Sequence, residues 1–157
     1  MSPCRILGVM ENTDHRTIAV EQFNRCWDFL EQASMTAADE AELLTAAFTS
    51  RFHWQFVGTE KNFMISDWMV SRAAAATGLG DMAIRFALAA NERAATFEIT
   101  DWMEASNAEG LARAYASAGM VAERDEWIAR AAALVAVISD PKEKELIGSQ
   151  LATVPRS

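Results

Sequence analysis

The sequence predicts an all-α fold of about seven antiparallel helices stacked as helix–turn–helix pairs, with a short C-terminal capping helix. Three observations carry that expectation. From Asp14 onward apolar residues recur at the three- and four-residue spacing of an amphipathic helix. Thirty of the 157 residues are alanine, the strongest helix former. Seven glycines and three prolines are too few for the turns of a sandwich or barrel. Residues 1–13 read as a loose N-terminal leader and 14–157 as a single helical domain.

Ile18, Phe23, Cys26, Trp27 and Leu30 mark the first helix. Thr36 followed by Asp39 is a capped start for the second, which runs to about Val57. Its Leu44, Phe48, Phe52 and Phe56 stack at i+4 and, with Leu43, Ala47 and Trp54, make an apolar face wide enough to be covered on two sides. Gly58-Thr59 restarts the chain, and a third helix from Glu60 to Thr77 turns Met64, Trp68 and Ala75 inward. Gly78 closes it, and Asp81 is expected to cap the fourth, Met82 to Phe97. A fifth helix runs from about Thr100-Asp101 to Ala118, closed by Gly119, and a sixth from Val121 to Ile138. Asp140-Pro141, with Glu143 in capping-box spacing, opens the last helix, which ends near Leu151.

The formal charge of −8 and pI near 4.7 leave no basic footprint for nucleic acid or an anionic membrane. The N-terminus holds an apolar clump of about four residues, short of the roughly 7–15 of a signal-peptide core. No apolar run approaches the ~20 residues of a spanning helix. The expected location is the cytoplasm, with Cys4 and Cys26 reduced.

Two internal repeats are present. Ser66-Asp-Trp-Met69 recurs as Thr100-Asp-Trp-Met103, 34 residues later, and Gly78, Ala83, Phe86 and Ala90 match Gly119, Arg124, Trp127 and Ala131 at an offset of 41. The second joins a turn glycine to packing positions and is the structural register. Leu111-x3-Tyr115-x3-Gly119 with Ala131, and more weakly Gly78, Ala83 and Ala90, resembles the tetratricopeptide-like helical repeats. Arg124 stands where that family favours alanine, and Ala74 where Tyr115 has its counterpart. Ser50-Arg-Phe-His-Trp54, Gly58-Thr59-x2-Asn62, Trp68-x2-Ser71-Arg72, Glu109-Gly-Leu-Ala-Arg-Ala114 and the Asp140-to-Leu151 segment are similar to a group of small uncharacterised bacterial proteins. The resemblances imply stacked helix pairs and a protein–protein interaction role.

In such a stack the first helix of each pair lines the concave side. Helix three would then present Asn62, Ser66, Met69 and Arg72, and helix five Trp102, Ser106, Glu109 and Arg113. The arginines suit a carboxylate or peptide terminus held by a guanidinium fork, while Glu109 and Arg113 also read as a local i,i+4 pair. His53 and Trp54 are the other candidates, His53 because its pKa lies near neutrality. No carboxylate lies at helical spacing from His53, and Trp54 and Trp102 fit the apolar stripes less neatly than Trp27, Trp68 and Trp127.

A zinc set can be written from Cys4, His15, Cys26 and His53, but it lacks the tight ligand pairs of metal sites. Glu-x-x-His, a phosphate loop, GxSxG and HExxH are absent. Asp39-Glu40 with Glu42, and Asp125-Glu126, read as solvated faces. The favoured expectation is a non-enzymatic module binding a peptide or partner protein in a concave groove, without catalytic residues, cofactor or metal. The competing one is a small-molecule-binding protein or enzyme with a pocket near His53 and Arg72. A homodimeric scaffold is a third.

Overall fold

A computed structural model of the chain describes residues 11–157. These form seven α-helices and, among the described residues, no strand. The helices are α1 (Asn12–Leu30), α2 (Ala37–Val57), α3 (Glu60–Ala76), α4 (Gly80–Arg93), α5 (Asp101–Ser117), α6 (Val121–Ala136) and α7 (Pro141–Ala152), with a 3₁₀ turn over Ala94–Thr96. The first begins two residues before the expected Asp14. The fourth stops at Arg93, four residues short of Phe97, and unwinds into that turn.

Pairing follows chain order: α1 lies on α2, α3 on α4 and α5 on α6. The pairs stack so that α1, α3 and α5 touch in succession, whereas α2, α4 and α6 have no comparable contact with one another. A two-layer stack in which one layer is closer-packed curves toward that layer, so α1, α3 and α5 form the inner, concave face. Small side chains keep the packing close throughout: Ala73, Ala74, Ala105, Ala108, Ala112 and Ala114 are all buried, Ala105, Ala108 and Ala112 of them toward α6 and α7. The last helix, α7, lies against both α5 and α6.

Local chemistry explains most boundaries. Thr36 and Asp39 form a reciprocal capping box at the start of α2, as do Thr59 and Asn62 at α3. Asp140 accepts hydrogen bonds from the backbone amides of Lys142 and Glu143, with Pro141 in the first turn. Gly78 and Gly119, with φ of 74° and 71°, reverse the chain after α3 and α5. The following amides reach back in the same way, Leu79 to the Ala74 carbonyl and Met120 to that of Tyr115. These two motifs stand 41 residues apart, the register of the glycine repeat. Leu79, not Asp81, is the cap residue of α4, because the reversal at Gly78 leads directly into the next helix.

The wide apolar face expected on α2 is covered on one side only. Leu43, Ala46, Ala47, Ser50, His53 and Trp54 are buried. Phe48, Phe52 and Phe56 remain 38, 52 and 53% exposed. These rings lie on the outer side, where Phe48 meets the Phe86 ring of α4 edge-on and Phe56 stacks on His15 of α1, and each still keeps the exposure above.

Candidate functional site

The inner face holds two adjoining cavities that share Trp27 and Gln150 as walls. The first, about 320 Å³, is apolar and is bounded by Phe23 and Trp27 of α1, Trp68 of α3, Trp102 of α5 and Leu146 of α7. Its shape depends on Gly110 of α5. A β-carbon there would meet the Trp68 ring at 3.0 Å, so the glycine lets the indole lie flat against α5. The Trp68 Nε1–H donates to the Ser106 carbonyl at 3.1 Å.

The second cavity, about 600 Å³, is polar and contains Arg72 and Arg113. Beneath it lies Glu109, fully buried. Arg113 donates to Glu109 Oε1 from Nε at 2.8 Å and from Nη2 at 2.6 Å. The same Nη2 also donates to the Gln150 carbonyl and to Thr153 Oγ1, both at 2.9 Å, which ties α7 to α5. Arg72 Nη1 reaches both Glu109 oxygens from the neighbouring helix, at 3.4 and 3.3 Å. Its guanidinium lies between the Trp27 and Trp68 rings, 5.1 and 5.4 Å from their centroids.

Two arginines therefore share one buried carboxylate. Burial holds the Arg72 pKa below its ordinary value; Glu109 pulls it up and Arg113 pushes it down. Among the described residues its Nε and Nη2 have no hydrogen-bond partner. Gln150 Oε1 is likewise buried without one. Glu31 also lines this cavity, but it is exposed and screened by solvent.

Arg72, Trp102, Ser106, Glu109 and Arg113 thus come together on the inner face. Glu109 and Arg113 are more than a local i,i+4 pair, because Arg72 joins them across helices. The other residues expected on these stripes serve the fold. Asn62 caps α3, and Ser66, buried, donates to the Asn62 carbonyl. Met69 is core. Trp54 is buried under Arg16. Trp27, Trp68 and Gln150 belong to the groove as well, and the four-residue step from Trp68 to Arg72 on one helix was the available signal for the first pair.

The chain matches no family model, no curated protein and no solved structure.

His53 is at a different place. It is buried on α2, with its Nδ1 2.8 Å from Nδ1 of His15, and Phe56 stacks on His15 at 4.2 Å. One Nδ1 carries the hydrogen and the other accepts it. Burial lowers the His53 pKa, with a smaller contribution from His15. His53 borders a shallow outer groove with Phe48 and Phe52, whereas Arg72 lines the inner cavity. Of the zinc set, His15 and His53 meet, Cys26 lies in the core and Cys4 falls outside the described residues. Among the described residues no three His, Cys, Asp or Glu side chains converge, and no helix is long and apolar enough to cross a membrane.

Proposed function

We propose that this chain is a non-enzymatic, tetratricopeptide-like interaction module of the cytoplasm that binds a peptide or partner protein along its inner face. The observation that carries the reading is the Arg72–Glu109–Arg113 group: two guanidiniums against one carboxylate, facing a cavity of about 600 Å³. A carboxylate from a partner completes this arrangement. It can take hydrogen bonds from the unpartnered Arg72 donors and balance the second positive charge in a partly desolvated place, where such bonds are strongest.

The adjoining tryptophan-lined cavity has the size of one large apolar side chain with its neighbours. Gln150 borders both cavities, and a turn of its side chain brings the buried, unpartnered Oε1 out to accept a peptide N–H between the two. The bound segment is therefore read as an apolar residue next to a carboxylate. Tryptophan and arginine are also the residues over-represented where binding energy concentrates. The net charge of −8 disfavours a polyacidic partner at long range, which leaves a single carboxylate as the better fit.

The test is selection from a random peptide library with free C-termini, followed by hydrogen-exchange mapping of the winners on the wild-type protein. Protection is expected on α3, α5 and α7. Arg72→Gln and Arg113→Gln should each weaken binding by at least ten-fold. Failure to select any peptide, or protection confined to α4 and α6, overturns the reading.

A further inference from the structure

The outer face of α2 carries a second pattern that the inner groove does not use. Around Phe52 the helix turns Ala37, Ala38, Ala41, Thr45, Phe48, Thr49, Phe52, Gln55 and Phe56 to one side. All are exposed except Thr49, which is half-buried, and none is charged. Nearly a quarter of the chain is charged, so an uncharged exposed face over the whole length of a 21-residue helix is a deliberate feature.

The face is graded. Its first half bears only small side chains, Ala37, Ala38, Ala41 and Thr45, and its second half bears the three phenylalanines. From this gradient we infer that α2 pairs with α2 of a second copy, antiparallel, about a two-fold axis between Ala46 and Ala47. Each ring then meets a small residue of the other copy: Phe48 opposite Thr45, Phe52 opposite Ala41, and Phe56 opposite Ala37 and Ala38. A two-fold interface must be complementary to itself, and a large-to-small gradient along one helix provides that complementarity only in the antiparallel sense. A parallel pair would set ring against ring and leave gaps between the alanines.

Three further observations agree. The shallow groove beside Phe48 and Phe52, about 590 Å³ and bordered by Leu44, Thr45 and Thr49, lies on this face and gives the opposite ring a place to enter. Charge flanks the face instead of interrupting it, since Arg51 of α2 turns away to Asp67 of α3. Asp39, Glu40 and Glu42 flank the start of α2, while Arg16, bonded to the Val57 carbonyl, flanks its end. Antiparallel pairing brings these opposite charges together, and parallel pairing opposes like to like.

The area is also adequate. Rings of this size bury about 150–250 Å² each. At the exposures above, the three leave about 300 Å² of aromatic surface per copy. Two copies thus supply about half of the ~1,200 Å² at the lower end of stable interfaces, and the flanking alanines and threonines supply more.

The experiment is molar mass by sedimentation equilibrium on the full chain from about 1 to 200 µM, with three variants. Wild type should approach twice 17.3 kDa at the upper concentrations. Phe52→Glu should be monomeric throughout. Ala41→Glu should be too, with a far-ultraviolet spectrum unchanged, since it replaces one good helix former with another at an exposed site and matters only if Phe52 of another copy rests there. In a Cys4→Ser background, a mixture of Ala38→Cys and Phe56→Cys chains should form a mixed disulfide in preference to either homodimer. A wild-type monomer at 200 µM overturns the inference. So does a dimer that survives both glutamates, or a dimer that loses mass with Phe52→Glu but not with Ala41→Glu. If the chain becomes dimeric only after residues 1–10 are deleted, that segment and not a second copy occupies the face, and the inference also fails.

Discussion

Two buried carboxylates, each gripped by two arginines, sit on helices of the inner layer but on opposite faces of it, and they are not equivalent. On the outer side Asp67 of α3 takes Arg51 Nε at 2.6 Å and Arg93 Nε at 2.7 Å, and Arg93 goes on to Glu60 at 3.0 Å. The charges there sum to zero, and the hydrogen bond from Arg93 to Asp67 raises the pKa of that guanidinium. On the inner side Arg72 and Arg113 share Glu109 alone, and burial lowers the pKa of Arg72. The outer arginines are 30 and 32% exposed; the inner ones are 12 and 15% exposed and are more poorly hydrated. The same local device is a closed structural tie in one place and an incomplete one in the other. The outer group borders a cavity of about 160 Å³ and the inner one a cavity of about 600 Å³, so the charge imbalance sets the inner group apart as the proposed binding group.

The largest expected effect comes from removing the acid at each centre. Glu109→Gln leaves two poorly hydrated cations facing one another and should cost about 3–5 kcal/mol in urea denaturation. Asp67→Asn should cost about half as much, because Arg51 and Arg93 retain solvent and Arg93 retains Glu60. Equal losses at the two sites would break the comparison. The next contrast is on the arginine side. Arg72→Met leaves Glu109 with Arg113 in a one-to-one pair and keeps an apolar stem between Trp27 and Trp68, so stability should change by no more than about 1 kcal/mol. Peptide binding should still fall by at least ten-fold. Arg93→Met, by contrast, leaves buried Asp67 with one arginine while the half-exposed Glu60 turns to solvent, and should cost about 1–2 kcal/mol without affecting binding.

Two smaller effects sharpen the baseline against which those losses are measured. The folded state holds His53 below its ordinary pKa of 6.5, so it binds fewer protons there than the unfolded chain. Stability present above pH 6.5 is therefore lost as the pH falls through the histidine range, and His53→Gln should flatten that limb of the stability profile. At the alkaline end burial pushes the Cys26 thiol up from 9.0 to about 12. The folded state thus keeps a proton that the unfolded chain loses, and stability declines as pH rises above 9. In a Cys4→Ser background the folded protein should react with iodoacetamide at pH 8 at least 100-fold more slowly than the unfolded chain.

What could be read in the sequence was whatever short-range chemistry fixes. Thr36 with Asp39, Asp140 with Pro141, and the glycines at 78 and 119 each act within a few residues, so the seven helices and their pairing were legible. Asp81 misled because a cap depends on where the preceding reversal delivers the chain, and Gly78 delivers Leu79. The phenylalanines of α2 misled because periodicity counts apolar residues without saying which side will meet a neighbour. The inner site was half legible. Helical spacing put Arg72 on one stripe and Glu109 with Arg113 on another. That Arg72 crosses 37 positions to Glu109 depends on how closely α3 and α5 approach, and Gly110 against the Trp68 ring is a contact that spacing alone does not reveal. Asn62 was read as part of a binding stripe because a helix cap and a surface amide have the same spacing on paper.

The fastening of α7 has a kinetic consequence. This helix has twelve residues and buries little of its own, chiefly Ile147 and Leu151, so on its own terms it should fray. It is held to α5 at both ends. Asp101, whose carboxyl the Ser139 hydroxyl and amide hold below the usual range, anchors the turn before α7, and Arg113 anchors Gln150 and Thr153 at its close. Opening α7 therefore means releasing the guanidinium that neutralises Glu109. The wall of the groove and its charged floor should thus open as one cooperative unit, with amides that exchange together in a hydrogen-exchange measurement. A peptide bound as proposed, across Arg113 and Gln150, should accordingly slow exchange along the whole of α7 and not only where it makes contact.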